Sequence, residues 1–280
     1  MKLTHILSII CLILFASCNN DDTETYTNNA LEGLQKVQEF STTNHTIEVY
    51  TKNGVFETGY NDISLRVKNN DNDSYYENLS IEWIPMMNMG TMNHSCPKST
   101  IAKVEESNTL YNGNLVFQMT GMNGSGWELK FNYTINDQNY SITENITVIQ
   151  SDTQNVTTFT GSDTTKYIIA YISPTRPEIA VNNLKVGLYK MENMLNFPKV
   201  PNYSIGLDPR MPSMGNHSSP NNTDLSYNNN DGLYYGNLSL TMTGFWVLNL
   251  KLYDQDDNLL KGEDITDTNT QSSLYLELEF

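Results

Sequence analysis

Methionine and histidine occur together twice in this chain. Residues Pro85 to Pro97 read PMMNMGTMNHSCP, and residues Pro209 to Pro220 read PRMPSMGNHSSP. Each stretch carries Met-x-x-Met followed by His-Ser-x-Pro: Met86, Met89 and His94 in the first, Met211, Met214 and His217 in the second. Thioether sulfur is a poor ligand for hard cations, but it binds Cu(I) without having to lose a proton. Where thiolates are prone to oxidation, outside the cytoplasm, methionine is the more durable soft donor. An imidazole joined to thioethers makes a neutral, roughly tetrahedral set suited to a monovalent soft ion. These six residues are therefore metal-ligand candidates for copper, with Cu(I) the expected state.

The other methionines divide by context. Met119 and Met242 each end an alternating strand on its apolar face, where a side chain completes a neighbouring site or simply packs. Met87, Met92 and Met122 have no counterpart in the second copy and read as extra donors or surface residues. Met191 and Met194 repeat the Met-x-x-Met spacing at a strand end, and core packing is expected of them. Trp127 and Trp246 head the strands that follow and either shield a metal or fill the core. His45, at the head of a strand, is expected to be exposed. Cys96, inside the first cluster, is either a thiol donor or a small buried hydrophobe. No Gly-rich phosphate loop, GxSxG, HExxH or CxxC is present, so nothing points to an enzyme. The acidic run from Asp254 has Leu259 and Ile265 where a calcium loop needs Gly and Glu, and it reads as a turn.

The N-terminus sets the compartment. MKLTHILSIICLILFASC is a basic residue, a short apolar run and a small-small-Cys ending, which is a secretory signal over residues 1–17. Such an ending resembles the lipobox of bacterial lipoproteins, and the resemblance implies a lipid anchor on Cys18 that holds the chain to a membrane. Residues 18–32 are then the lipidated Cys and a flexible acidic linker, similar to the export signals of Bacteroidota surface lipoproteins. With Cys11 in the signal and Cys18 lipidated, Cys96 has no intramolecular partner, and a disulfide scaffold is excluded. Against 16 basic residues stand 32 acidic ones, a net charge of −16. That balance excludes nucleic acid as an expected partner and mildly concentrates cations.

The elements that must carry these residues are strands. Ile63, Leu65 and Val67 alternate with polar residues, as do Leu115 and Phe117, and Trp127, Leu129, Phe131 and Tyr133 do so most clearly. The second half repeats the order with Leu238, Leu240 and Met242, then Trp246, Leu248, Leu250 and Leu252. YNGNLVFQMTG from Tyr111 matches YYGNLSLTMTG from Tyr234 at 7 of 11 positions. The chain is a tandem duplication with an offset of 123 residues at His94/His217 and 125 at Met86/Met211. Each unit has the length and strand density of an immunoglobulin-like β-sandwich. The predicted fold is all-β, with sandwiches over 33–152 and 163–280 and a polar boundary near Asp152 to Ser162.

On LDPRMPSMGNHSSPNN from Leu207 and LYYGNLSLTMTGFWVLNL from Leu233, the chain resembles a tandem pair of YtkA-like, FixH-related domains, exported β-sandwiches associated with copper. Asn216 before His217 and DGLYYG in the middle element depart from the family pattern, and the first unit is a looser match. The resemblance implies a non-enzymatic outer-membrane lipoprotein that captures, stores or delivers copper, with a copper-accepting or transporter protein as partner. Two other readings compete. One is a surface adhesion or glycan-binding lipoprotein, accessory to a TonB-dependent transporter, suited by the 17 tyrosines; the other is a structural or assembly subunit of a copper-containing membrane complex.

Overall fold

The computed structural model describes residues 30–90, 92–121 and 126–280. The signal, Cys18, most of the linker and Met122 lie outside the described residues. The fold is all-β, two immunoglobulin-like sandwiches in tandem. In the N-terminal sandwich one sheet runs β1 (Gln35–Ser41), β2 (His45–Thr51), β4 (Gly59–Asn69), β8 (Tyr111–Phe117) and β7 (Ala102–Lys103). The other runs β10 (Gln138–Ile146), β9 (Gly126–Ile135), β5 (Ser80–Asn88) and β6 (Asn93–His94), while β3 (Phe56–Glu57) and β11 (Val148–Ile149) pair in parallel. Strand phasing builds the core directly: on β9, Trp127, Leu129, Phe131, Tyr133 and Ile135 are all buried, each separated by a half-exposed neighbour.

The C-terminal sandwich repeats the order. Its strands β12 (Val156–Thr160), β13 (Lys166–Ser173), β14 (Val181–Lys190) and β18 (Leu233–Ser239) lie side by side. The path continues through β17 (Leu225–Asn228) to β15 (Ser204–Met211), β19 (Phe245–Tyr253) and β20 (Leu259–Lys261). The short β16 (His217–Ser218) pairs with β15, and β21 (Tyr275–Glu279) closes on β19. The polar stretch expected as a boundary thus contributes β12, whose Phe159 enters the second core. Each sandwich has its own core, and a third cluster of Val116, Ile168, Ala170, Tyr189 and Phe197 joins them. Val116, on the outward phase of β8, is buried because β13 and β14 cover it.

Two buried groups should make the N-terminal sandwich sensitive to acid. Burial by itself would raise the Glu48 carboxyl, but hydrogen bonds from Lys36 Nζ (2.8 Å), Tyr50 Oη (2.7 Å) and Tyr75 Oη (2.9 Å) prevail and hold it below its ordinary range. His45 is 5% exposed, not open to solvent as its sequence context suggested. The rings of Tyr76, Tyr133 and Tyr140 surround it edge-on, and burial pushes its imidazole down against the weaker opposing pull of Asp71. Both groups take up a proton more readily unfolded than folded. Stability from His45 is therefore present above the ordinary 6.5 and lost as pH falls through its lowered value; that from Glu48 is present above 4.5 and lost further down. We expect melting temperature to fall on acidification in both windows. His45→Phe should flatten the upper one, and an unchanged profile in that variant would assign the loss elsewhere.

Candidate metal centre

The first cluster lies at the mouth of a hairpin. Met87 at the end of β5 stands opposite Trp127 of β9 on one side and His94 of β6 on the other. Opposed residues project to the same face of a sheet, so methionine, tryptophan and histidine share one row. The chain reverses between them, with Gly90 at φ +79 and the Met89 amide donating to the Met92 carbonyl at 3.0 Å. Met87 is 1% exposed and belongs to the core. His94 is half-buried, and its ring meets the Trp127 indole edge-on at 5.5 Å and 85°. The indole N–H in turn donates to the Met119 carbonyl at 2.9 Å, which ties the residue two places beyond β8 over the same corner.

A backbone bond fixes the orientation of the His94 ring. Its Nδ1 lies 2.9 Å from the Ser95 carbonyl. A carbonyl only accepts, so Nδ1 is the donor in this bond and Nε2 is the ring nitrogen left to meet another partner. A backbone carbonyl on the far nitrogen is the usual device that orients a metal-binding imidazole.

The second cluster repeats the arrangement. Met211 at the end of β15 pairs with His217 of β16, and Arg210 with Ser218. Between them Pro212–Met214 form one 3-10 turn, closed by Gly215 at φ +65 and Asn216 at φ +61. Arg210 holds Asp208 through two bonds of 2.7 and 2.8 Å, and Asn216 Nδ2 donates to the Thr270 carbonyl at 3.0 Å, so the loop is anchored at both ends. Met211 is 2% exposed, and Met214 and His217 are open to solvent. The Trp246 indole N–H donates to the Met242 carbonyl at 3.1 Å, the counterpart of Trp127 and Met119.

Sheet register revises which residues correspond. Pro85 opposes Leu129 and Pro209 opposes Leu248, so Met87 matches Met211, and Met86 matches Arg210. Met86, expected beside His94, instead projects to the other face of β5, opposite Glu128. The sequence alone allowed either alignment of the doubled methionine; the pleat decides it. Met89 and Met214 sit on the hairpin loops, exposed, as the polar Gly- and Pro-rich context suggested. Met119 and Met242 lie beyond their strands, 40% exposed and half-buried respectively.

For Met194 the fold overturns the expected core packing, and for Cys96 it selects the buried alternative. Met194 is exposed rather than packed, and its carbonyl accepts the Ser95 amide N–H at 2.7 Å. Its repeated Met-x-x-Met spacing was the signal, and only the tertiary fold shows its neighbour. Cys96 is 1% exposed and burial pushes its thiol up, so it packs as a hydrophobe.

Among the described residues, no three His, Cys, Asp or Glu side chains gather as a metal site. Two surface clefts, of about 300 and 420 Å³, are lined by neither methionine nor histidine.

No family model matches the chain, and no curated protein does. Solved structures with similar folds include an Escherichia coli adhesin, FdeC, at 14% identity over 83% of this chain and 73% of that one, TM-score 0.24. A conserved domain protein from Bacillus anthracis is 9% identical over 90% and 93%, TM-score 0.32. A chimeric titin Z1Z2 tandem is 12% identical over 88% and 97%, TM-score 0.18.

Proposed function

We propose that this chain is a tandem YtkA-like lipoprotein, anchored through Cys18 at the outer membrane, that captures or delivers copper as Cu(I). One observation carries the reading: a methionine in register with a histidine, beside a tryptophan whose N–H holds a second methionine, is built twice at matching strand ends. Core packing explains Met87 and Met211. It does not account for Met89, Met119 and Met214, which stay exposed on the two hairpin loops and just beyond β8. Copper here is cargo, held by neutral donors and released by exchange with a partner's soft ligands.

Anaerobic Cu(I) titration against a competing chelator tests this on the folded chain. The intact protein should bind one equivalent per sandwich, and Met214→Leu with His217→Ala should lose one of them. Retention by the variant equal to that of the parent sinks the proposal. Protons compete with metal for imidazole, so affinity should weaken on acidification; a pH-independent affinity would remove the histidines from the ligand set.

A second reading has its own feature. The cleft of about 420 Å³ is lined by Tyr140, Asn132, Asn139 and Glu82 beside the buried Tyr133, an aromatic residue among polar groups suited to a glycan. Glycan-array binding that Tyr140→Ala abolishes and the Met214 and His217 changes leave intact would favour the adhesion role.

A further inference from the structure

The loop that follows β14 in the C-terminal sandwich reaches the first cluster. It turns through the Asn193–Asn196 bridge, with the Leu195 amide donating to Asn193 Oδ1 at 2.9 Å. At its tip the Met194 carbonyl accepts the Ser95 amide N–H at 2.7 Å. Ser95 Oγ donates to the Pro85 carbonyl at 2.7 Å, and the Ser95 carbonyl accepts a hydrogen bond from His94 Nδ1. One buried serine therefore ties β5, the imidazole and the incoming loop together.

The Met194 side chain stands at the surface. It is 43% exposed, whereas Met191 of the same loop packs into the cluster that joins the sandwiches. Of the ten exposed large apolar side chains among the described residues, five are methionine. Four of these, Met89, Met92, Met119 and Met194, lie on segments hydrogen-bonded around His94, Ser95 or Trp127. Leu195 of the same loop is exposed as well, so this corner is an apolar patch in which thioethers predominate.

We propose that Met194 is a thioether donor to the first site, so that this site is assembled from both sandwiches. The inference rests on the Cu(I) reading above. A metal held by His94 from one side and Met194 from the other clamps the loop 191–196 onto β6, and the affinity of the first site then depends on how the sandwiches meet. A chain in which the junction opens releases this metal first.

The test uses the full chain carrying Met214→Leu and His217→Ala, which leaves the first site alone. Methionine methyl groups are labelled with carbon-13, and Ag(I), a redox-inert soft ion, is the NMR probe; Met194→Leu assigns the resonance. The Met194 methyl should shift in step with Met89 or Met119. Met194→Leu should weaken Cu(I) binding by at least about tenfold, the lower end of what an outer-shell partner alone contributes. Leucine keeps the backbone bond to Ser95, and an unchanged metal-free melting temperature excludes a folding cause. If His94→Ala abolishes binding while the Met194 methyl stays fixed and Met194→Leu binds normally, the inference fails and the copper reading stands. If the chain with only its first site takes up no Cu(I) against the competing chelator, both fall.

Discussion

Trp127→Ala should destabilise the N-terminal sandwich by about 3–5 kcal/mol, the usual cost of emptying a buried aromatic site. Trp127 is 1% exposed, packs edge-on against Phe117 at 4.9 Å, and stands opposite Met87 in the sheet. Chemical denaturation reads this loss directly. Trp127→Phe separates the two roles of the residue. It keeps much of the apolar volume but removes the N–H that holds the Met119 carbonyl, a net loss of about 1 kcal/mol. If Met119 is a ligand, Cu(I) affinity at the first site should fall in Trp127→Phe by more than its stability does. Equal affinity in the two proteins would leave Trp127 as a packing residue only.

Gly262→Ala should be more damaging than its single methyl suggests, at roughly 2–6 kcal/mol from strain and overpacking together. Gly262 has φ +94, and a Cβ there would collide with the Leu250 carbonyl oxygen. That oxygen cannot yield: it accepts the Ser272 hydroxyl at 2.9 Å, and the Leu250 amide is bonded to the Leu274 carbonyl at 2.8 Å. A loss of this size consumes much of a domain's usual margin of about 5–15 kcal/mol, so weak expression or an early melting transition is expected. Gly215→Ala is the control. It also has positive φ, at +65, but a Cβ would meet nothing within 4 Å, and only the conformational cost of about 1 kcal/mol remains. Similar losses at the two positions would argue against the clash.

Both sites show where one sequence is ambiguous and why. Doubled methionines at 86 and 87 offer two alignments with Met211, one residue apart, and a one-residue shift in a strand moves every side chain to the other face. Hydropathy cannot choose, because both residues are the same. His45 lies at the head of a strand in polar company, yet three tyrosines from distant segments enclose it.

What the sequence by itself determined is local and periodic. Alternation placed the inward residues of β4, β8, β9 and β19, and the repeated strings made the duplication plain. The Met and His residue types raised the expectation of soft-donor chemistry. These follow from the two-residue period of a strand and from ligand softness, neither of which needs a neighbour. Only the tertiary structure decided which methionine faces each histidine, that the tryptophans hold Met119 and Met242 by their backbones, and that Val116 is buried between sandwiches. It also brought Met194 to Ser95 across 99 residues of chain. Contacts of that range depend on how two finished cores meet, and no pattern within a strand encodes them.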